Sequence, residues 1–325
     1  MLKAENIINS KILISALDWG FGHTTRTSVL IKQLLNQNNE LVFAGNSEQT
    51  RFIKKQFSEV STLPLEGYNV VLSSSKNTYL QVLKQTPKIL NAIKNERFWL
   101  QKQLKETPFD FVISDNRYGL NHQSIPCIIL THQTELQIPF GKKVINYFLR
   151  KQLNHFSTCW IPDYPNQSLS GDLSSGSLKI PTVFIGPLSR FKIIQNNEEH
   201  YDYLFLISGP FPEREVFLEK SQQFIAKHNL NAGIAVPFEP KLQSSKQTNI
   251  HLRPDTNELE KLINRSRIVV SKSGYTTIMD LIPFQKKVIL LPTKRQFEQE
   301  YLSTLHSLSN FKLSNTELQL QKLTQ

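Results

Sequence analysis

Lys11–Leu35 reads KILISALDWGFGHTTRTSVLIKQLL. Lys11–Ala16 is a short apolar run suited to a buried parallel strand. A glycine-containing turn follows, and then a helical stretch with Val29, Leu30, Leu34 and Leu35 spaced to form one face. This strand–turn–helix unit recurs. Leu41–Ala44, Phe109–Ser114 and Cys127–Leu130 are further strands, and such alternation predicts an α/β, doubly wound sheet with helices on both faces. Beyond the polar stretch Asn166–Ser177, expected to be a surface loop, the alternation restarts. Thr182–Ile185, Tyr203–Ser208, Gly233–Val236, Ile268–Val270 and Val288–Leu291 read as strands, with a helix over Glu215–Lys227. Two Rossmann-like halves facing a cleft are expected, 1–188 and 189–325, with the turn Gly186-Pro187-Leu188-Ser189 at the boundary and the last helix packing back on the first half.

The length of 325 residues fits that division, since single cores usually stop growing at about 250–300 residues. No apolar stretch approaches the roughly 18 residues of a membrane span, and the polar start Met1–Asn6 lacks the apolar core of a signal peptide. Cys127 and Cys159, both in apolar surroundings, argue for buried thiols in a reducing, cytoplasmic compartment. A disulfide or metal pair is disfavoured because no CxxC or Cys/His cluster accompanies them. The net charge of +11 calls for an acidic partner: nucleic acid, an anionic membrane surface or a phosphate-bearing small molecule. Its scatter along the chain, without a finger or RNA-recognition signature, sets nucleic acid aside.

Ligands of doubly wound sheets sit beyond the carboxyl ends of the strands, which singles out three loops. In Asp18–Arg26, Gly20 and Gly22 permit close backbone approach, and His23 stands at a positive helix end that favours the neutral imidazole. The plain alternative is a turn glycine with His23 capping the helix. In Ser271–Leu281 (SKSGYTTIMDL), small hydroxyl residues and Gly274 open a helix suited to a diphosphate. Asp280, about two turns in, is placed to accept ribose hydroxyls; the alternative is a serine cap and an exposed acid. In Pro292–Tyr301, Gln299 and Glu300 stand at a helix start where they would meet sugar hydroxyls, or solvent.

The order SKSGYTTIMDL, KKVILLPT, QFEQEYL resembles the donor half of glycosyltransferase family 28, the family of the peptidoglycan lipid-linked N-acetylglucosaminyltransferase. WGFGHTTR is similar to that family's glycine-rich acceptor-side loop, with Gly20, Gly22, Thr24 and Arg26. Ser114–Gly119 stands where a second such loop falls, Gly186–Arg190 at its hinge, and Ser208-Gly209-Pro210 in place of a Gly-Gly-Ser loop. The resemblance implies a GT-B fold and inverting, metal-independent transfer without a cofactor, from a nucleotide-diphosphate sugar, expected to be a UDP-sugar, held by the second half. It implies Ser273, Gly274, Tyr275 and Thr276 at the diphosphate, Asp280 (where the family has Glu) at the ribose, Gln299 and Glu300 at the sugar, and Arg253 at the base. His132-Gln133-Thr134-Glu135 replaces the family's His-Glu-Gln-Asn, so its particular lipid acceptor is not implied.

Transfer needs a base for the acceptor hydroxyl and neutralisation of the leaving diphosphate. His23 is the preferred base, with Asp115 and His132 behind it, and Arg190 is expected at the diphosphate. Asp115 reads equally as a helix cap, and His132 as a residue bonding backbone at a strand end. Phe140–Lys151 forms an amphipathic helix with Val144, Ile145, Phe148 and Leu149 on one side and Lys142, Lys143, Arg150 and Lys151 on the other. It either docks on the sheet or lies on an anionic membrane near a lipid-linked acceptor, which would make a monomeric or weakly dimeric chain peripheral on the inner face. Two other functions stay open. A nucleotide-sugar 2-epimerase needs several cleft carboxylates, for which only Asp115 and Glu135 are suited. A non-catalytic nucleotide-sugar-binding partner of a membrane complex would keep the SKSGYTT loop without needing His23.

Overall fold

The computed structural model describes residues 2–70, 81, 84–192, 200–209, 211–239, 249–306 and 320. The chain forms two compact units, Met1–Leu188 and Ser189–Gln325. The expected last helix falls outside the described residues.

Unit 1 is built from β1 (Lys11–Ala16), α1 (Gly22–Leu35), β2 (Glu40–Gly45), α2 (Ser47–Gln56), β3 (Ser61–Pro64), α3 (Thr86–Glu106), β4 (Phe111–Asp115), β5 (Cys127–Leu130), α4 (Lys142–Leu153), β6 (Thr158–Ile161) and β7 (Thr182–Phe184). Its strands are all parallel, in the order β3-β2-β1-β4-β5-β6-β7. The reversal of strand order lies between β1 and β4, whose register sets Ala16 beside Asp115. Continuous apolar runs are what a parallel sheet covered on both faces demands. Leu13, Val42, Val112, Cys127, Ile129 and Cys159 accordingly share one buried cluster. Both cysteines are free; burial pushes the Cys127 thiol up to about 11 and the Cys159 thiol up to about 12.

Unit 2 contains β8 (Tyr201–Leu206), α5 (Glu213–His228), β9 (Ala232–Val236), β10 (Asn249–Leu252), α6 (Thr256–Asn264), β11 (Ser266–Lys272), α7 (Tyr275–Leu281), β12 (Lys287–Leu291) and α8 (Phe297–Leu305). The order β10-β9-β8-β11-β12 is again parallel and reverses between β8 and β11. Its core is formed by Phe205, Ile234, Val270 and Ile289 against Phe217 and Ile225 of α5.

Two expectations change. The stretch Asn166–Ser177 is not a plain surface loop, because Leu169, Ser170, Leu173 and Ser174 are buried. The buried Asp163 carboxylate gathers it by accepting from the Ser170 amide at 2.8 Å and the Leu169 amide at 3.2 Å. In α4 the expected apolar side is split. Asn146 and Leu153 face inward, whereas Val144 and Phe148 are 60% and 56% exposed.

Candidate active site in unit 1 and donor loop in unit 2

α1 begins directly beyond the β1–α1 turn, where Gly20 holds φ at 95°, a left-handed value that favours glycine. His23, Arg26 and Thr27 lie at helix spacings of three and four, so they share one face of α1. That face looks onto Asp115 at the end of β4. The carboxylate is buried, 1% exposed, and four groups reach it. His23 Nδ1 is 2.8 Å from Oδ1, Arg26 Nε donates to Oδ2 at 2.7 Å, and Thr27 Oγ1 donates to Oδ2 at 3.0 Å. Arg26 Nη2 completes the fork at Oδ1. Burial alone would raise the Asp115 pKa, but the Arg26 guanidinium and then His23 outweigh it and hold the carboxyl far below the usual carboxylate range.

A permanently ionised Asp115 fixes the His23 tautomer. Its oxygen accepts from Nδ1–H, so the neutral ring carries its free lone pair on Nε2. Arg26 Nη2 also lies 2.9 Å from His23 Nδ1. Guanidinium only donates, so these two N–H groups converge on the shared Oδ1 rather than bonding each other. Asp115 is thereby removed as a free base and fixes the orientation of the His23 ring. His132 is corrected likewise. It is 4% exposed, and its Nδ1 accepts a hydrogen bond from Arg26 Nη1 at 3.2 Å, which places the ring proton on Nε2. Thr24 is wholly buried and accepts from Gln49 Nε2 at 2.9 Å, so it ties α1 to α2 instead of facing an acceptor. Gly22 is the first residue of α1. Trp19 and Phe21 are exposed in the same loop.

Arg117 points the other way, into a buried network. Its Nε donates to Glu96 Oε1 at 2.7 Å, and Glu96 Oε2 accepts from the Tyr68 hydroxyl at 2.9 Å. This pins α3 to the loop after β4. The neighbouring cavity, about 980 Å³, is lined by Asn46, Thr50, Tyr68, Lys88, Asn91 and Glu96, among others. Nothing in the sequence pattern announced it. Glu135, the second carboxylate that an epimerase would need, is bonded by Arg150 and, at 3.0 Å, by Asn146 Nδ2. Its partners are those of a structural clamp.

In unit 2, Gly274 caps α7, and a 3-10 turn, Ile282–Phe284, prolongs the helix. Ser273 is buried and its hydroxyl donates a hydrogen bond to the Gln299 carbonyl at 2.8 Å, joining the first turn of α8 to the loop after β11. Tyr275 is 2% exposed, so its ring belongs to the core. Thr276 is half-buried. The Ser273 hydroxyl and the Tyr275 ring are therefore committed within unit 2. The expected separate roles of Arg190 and Asp280 give way to a clamp. Asp280, 4% exposed, accepts from Arg190 Nε at 3.0 Å, Nη2 at 2.7 Å and the Arg190 amide at 3.1 Å. Arg190 is therefore committed to a carboxylate, and Asp280 has only its remaining lone pairs for a ribose.

Gln299 and Glu300 are also engaged locally: Gln299 Oε1 accepts from the Thr293 amide at 2.9 Å and Glu300 Oε1 from the Arg295 amide at 2.7 Å. Ser208 is half-buried and Gly209 exposed with φ 111°, just beyond β8. Arg253 follows the edge strand β10, and its Nη1 lies 3.6 Å from Glu239. Among the described residues no three His, Cys, Asp or Glu side chains converge as metal ligands. None of the described helices is long and apolar enough to cross a membrane.

Two parallel Rossmann-like sheets, with the His23–Asp115 pair at the strand-order reversal of one and a glycine-opened loop at that of the other, define a GT-B glycosyltransferase. The chain belongs to glycosyl transferase family 1, whose profile matches residues 10–323. It is similar to an uncharacterized glycosyltransferase of Methanosarcina mazei, 22% identical over 315 residues that cover 89% of this chain and 82% of the relative. A second such protein, from Methanosarcina acetivorans, is 23% identical over 319 residues, 89% of this chain and 81% of that one. In structure the chain resembles the spinosyn rhamnosyltransferase SpnG, also solved with thymidine diphosphate, with a TM-score of 0.67 at 12% identity over 96% of this chain and 88% of that one. It also resembles Arabidopsis thaliana UGT89C1 complexed with UDP-L-rhamnose, with a TM-score of 0.57 at 12% identity over 97% and 92%. The finer resemblance to family 28 is not what these matches name.

Proposed function

We propose that this enzyme is an inverting, metal-independent glycosyltransferase that moves a sugar from a nucleotide-diphosphate donor to a lipid or glycan acceptor. The observation that carries the reading is the buried Asp115 carboxylate 2.8 Å from His23 Nδ1. It leaves Nε2 of a partly buried imidazole, 18% exposed, as the acceptor of a proton. In this reading His23 takes the proton of the acceptor hydroxyl while that oxygen attacks the anomeric carbon from the face opposite the leaving group. The C–O bond to the nucleoside diphosphate breaks, and the diphosphate departs with the bonding electrons.

Unit 1 is the acceptor side, with Trp19 and Phe21 exposed beside His23. Unit 2 is the donor side, where the amides of the Gly274–Thr276 turn receive the diphosphate. UDP and TDP are the first nucleotides to try, because they accompany the resembling structures UGT89C1 and SpnG. An epimerase is disfavoured by the clamp on Glu135, and a non-catalytic binder would have no use for an oriented, ionised Asp115.

A thermal-shift screen of UDP-, TDP- and GDP-sugars tests the reading. A donor present at a hundred times its dissociation constant stabilises by about 2.7 kcal/mol. An upward shift with at least one nucleotide sugar is expected, and no shift with any of them contradicts the proposal.

A further inference from the structure

Phe140–His155 reads FGKKVINYFLRKQLNH and carries four Lys or Arg residues and no acid. Along α4, Tyr147 and Phe148 follow Val144 at spacings of three and four, the pattern of a single helical stripe. In a soluble helix such a stripe normally faces the core. Here it faces outward: Val144 is 60%, Tyr147 61% and Phe148 56% exposed, and Phe140 just before the helix is 74% exposed. Lys143 and Lys151 are exposed on the same outer arc. α3 lies alongside, since Arg97 Nη2 donates to Gln152 Oε1 at 3.1 Å, and its Phe98 is 64% exposed. The surface is therefore aromatic and cationic together.

The inner side of α4 is tied to the segment that follows β5. Asn146 Oδ1 accepts from the Leu136 amide at 2.7 Å, Asn146 Nδ2 donates to Glu135 Oε1 at 3.0 Å, and Arg150 pairs with the other Glu135 oxygen. Glu135 is three residues from His132, which in turn bonds Arg26 at 3.2 Å. The outward face and the His23 site thus share one short segment of unit 1.

We propose that α4 is an interfacial helix whose outer face, Val144, Tyr147 and Phe148 flanked by Lys143 and Lys151, seats unit 1 on an anionic lipid bilayer, from which the acceptor is drawn. The choice of acceptor rests on the transferase reading above; the docking itself does not. Charge selects the occupant. A two-fold contact with a second copy would set this cationic patch against the same cationic patch, whereas anionic headgroups complement it. Large apolar side chains at the acyl boundary with lysines at headgroup level are what an amphipathic surface helix requires.

Co-sedimentation of the full chain with vesicles of phosphatidylcholine alone, and of phosphatidylcholine mixed with phosphatidylglycerol, tests the proposal. Binding to the anionic vesicles only, weakening as salt rises, is expected. The variant Val144→Gln/Tyr147→Gln/Phe148→Gln keeps good helix formers and should lose roughly tenfold or more in vesicle affinity. Lys143→Gln/Lys151→Gln should lose on the order of twentyfold, as each basic residue near an anionic surface contributes about fivefold. Circular dichroism of both variants controls for folding. Absence of binding to anionic vesicles, or equal binding by the apolar variant, overturns the proposal. So does a concentration-dependent dimer that this variant dissolves while vesicle binding stays unchanged. Nucleoside diphosphate binding by the same preparations separates the two readings: vesicle binding without any nucleotide binding would sink the proposed donor site and leave the docking face.

Discussion

Arg26 and Asp115 form a bidentate pair at the carboxyl end of β4, with Arg26 Nε 2.7 Å from Oδ2 and Nη2 on Oδ1, both side chains 1% exposed. The same guanidinium reaches His132, so one cation joins the orienting carboxylate to a second imidazole. The Asp115 carboxylate in turn faces Nδ1 of His23 at 2.8 Å, so the three side chains form one linked cluster.

His23→Ala removes the proposed base and leaves the donor loop untouched. Turnover is expected to fall by about 10²–10⁴-fold, the usual contribution of a positioned general base. Donor affinity, read by calorimetry, should stay within error. Unchanged turnover would dismiss His23 as base.

Arg26→Met takes the cation from the pair. Asp115 is then left buried without its counter-charge, and chemical unfolding at neutral pH should show a loss of about 3–5 kcal/mol. Arg26→Lys, which keeps the charge, should lose less. Equal stability of Arg26→Met and the parent would contradict the pairing.

Asp115→Asn bears on stability as well as rate. The folded carboxyl titrates well below its unfolded value, so its stabilisation is present above about pH 3.9 and is lost as pH falls below that towards the depressed folded value. Chemical unfolding followed from pH 5 downward should show the parent losing stability more steeply than Asp115→Asn. At neutral pH the variant should be weaker by about 3–5 kcal/mol, because Arg26 is left buried without its counter-charge. Parallel pH profiles for the two proteins would contradict the assignment.

Lys272, at the end of β11 and 7% exposed, has the opposite sign. Burial, then the Lys220 charge, brings its pKa down to about 8, with Glu213 opposing; its ammonium sits 4.9 Å over the Phe217 ring. Its unfolded value is about 10.4, so the unfolded chain holds more protons between the two and stability rises with pH across that window. Lys272→Met should remove this rise and stabilise the protein at pH 7, by up to about 3 kcal/mol. Urea unfolding at pH 7.5 and 10 measures it. A rise that persists in the variant would place the titration elsewhere.

Much of the framework was legible because parallel strands covered on both faces need uninterrupted apolar runs. Lys11–Ala16 and Cys127–Leu130 stand out for that reason, and both match their strands to the residue. The edge strands Ser61–Pro64 and Asn249–Leu252 went unread, since their exposed and half-exposed polar residues leave no such run. At the site, His23 was visible in its glycine-bearing turn, and the spacing of His23, Arg26 and Thr27 lay open in the sequence. Their shared partner did not, because Asp115 is 92 residues from His23 in the chain and only the β1–β4 pairing brings it near. Arg190 and Asp280, 90 residues apart, hid their clamp for the same reason. The outward turn of Val144 and Phe148 depends on Asn146 preferring Glu135 and Leu136, which no helical period encodes.

Calorimetric titration of UDP and TDP into the parent and into Gly274→Asp tests most directly whether unit 2 receives a nucleoside diphosphate at the start of α7. Aspartate is a favourable helix cap and Gly274 already has the extended geometry of one, so the variant should fold while its carboxylate repels the diphosphate. One of the two nucleotides should bind the parent and lose roughly tenfold or more in affinity in the variant, the equivalent of about 1.4 kcal/mol. No binding to the parent, or equal binding to both proteins, would contradict this assignment.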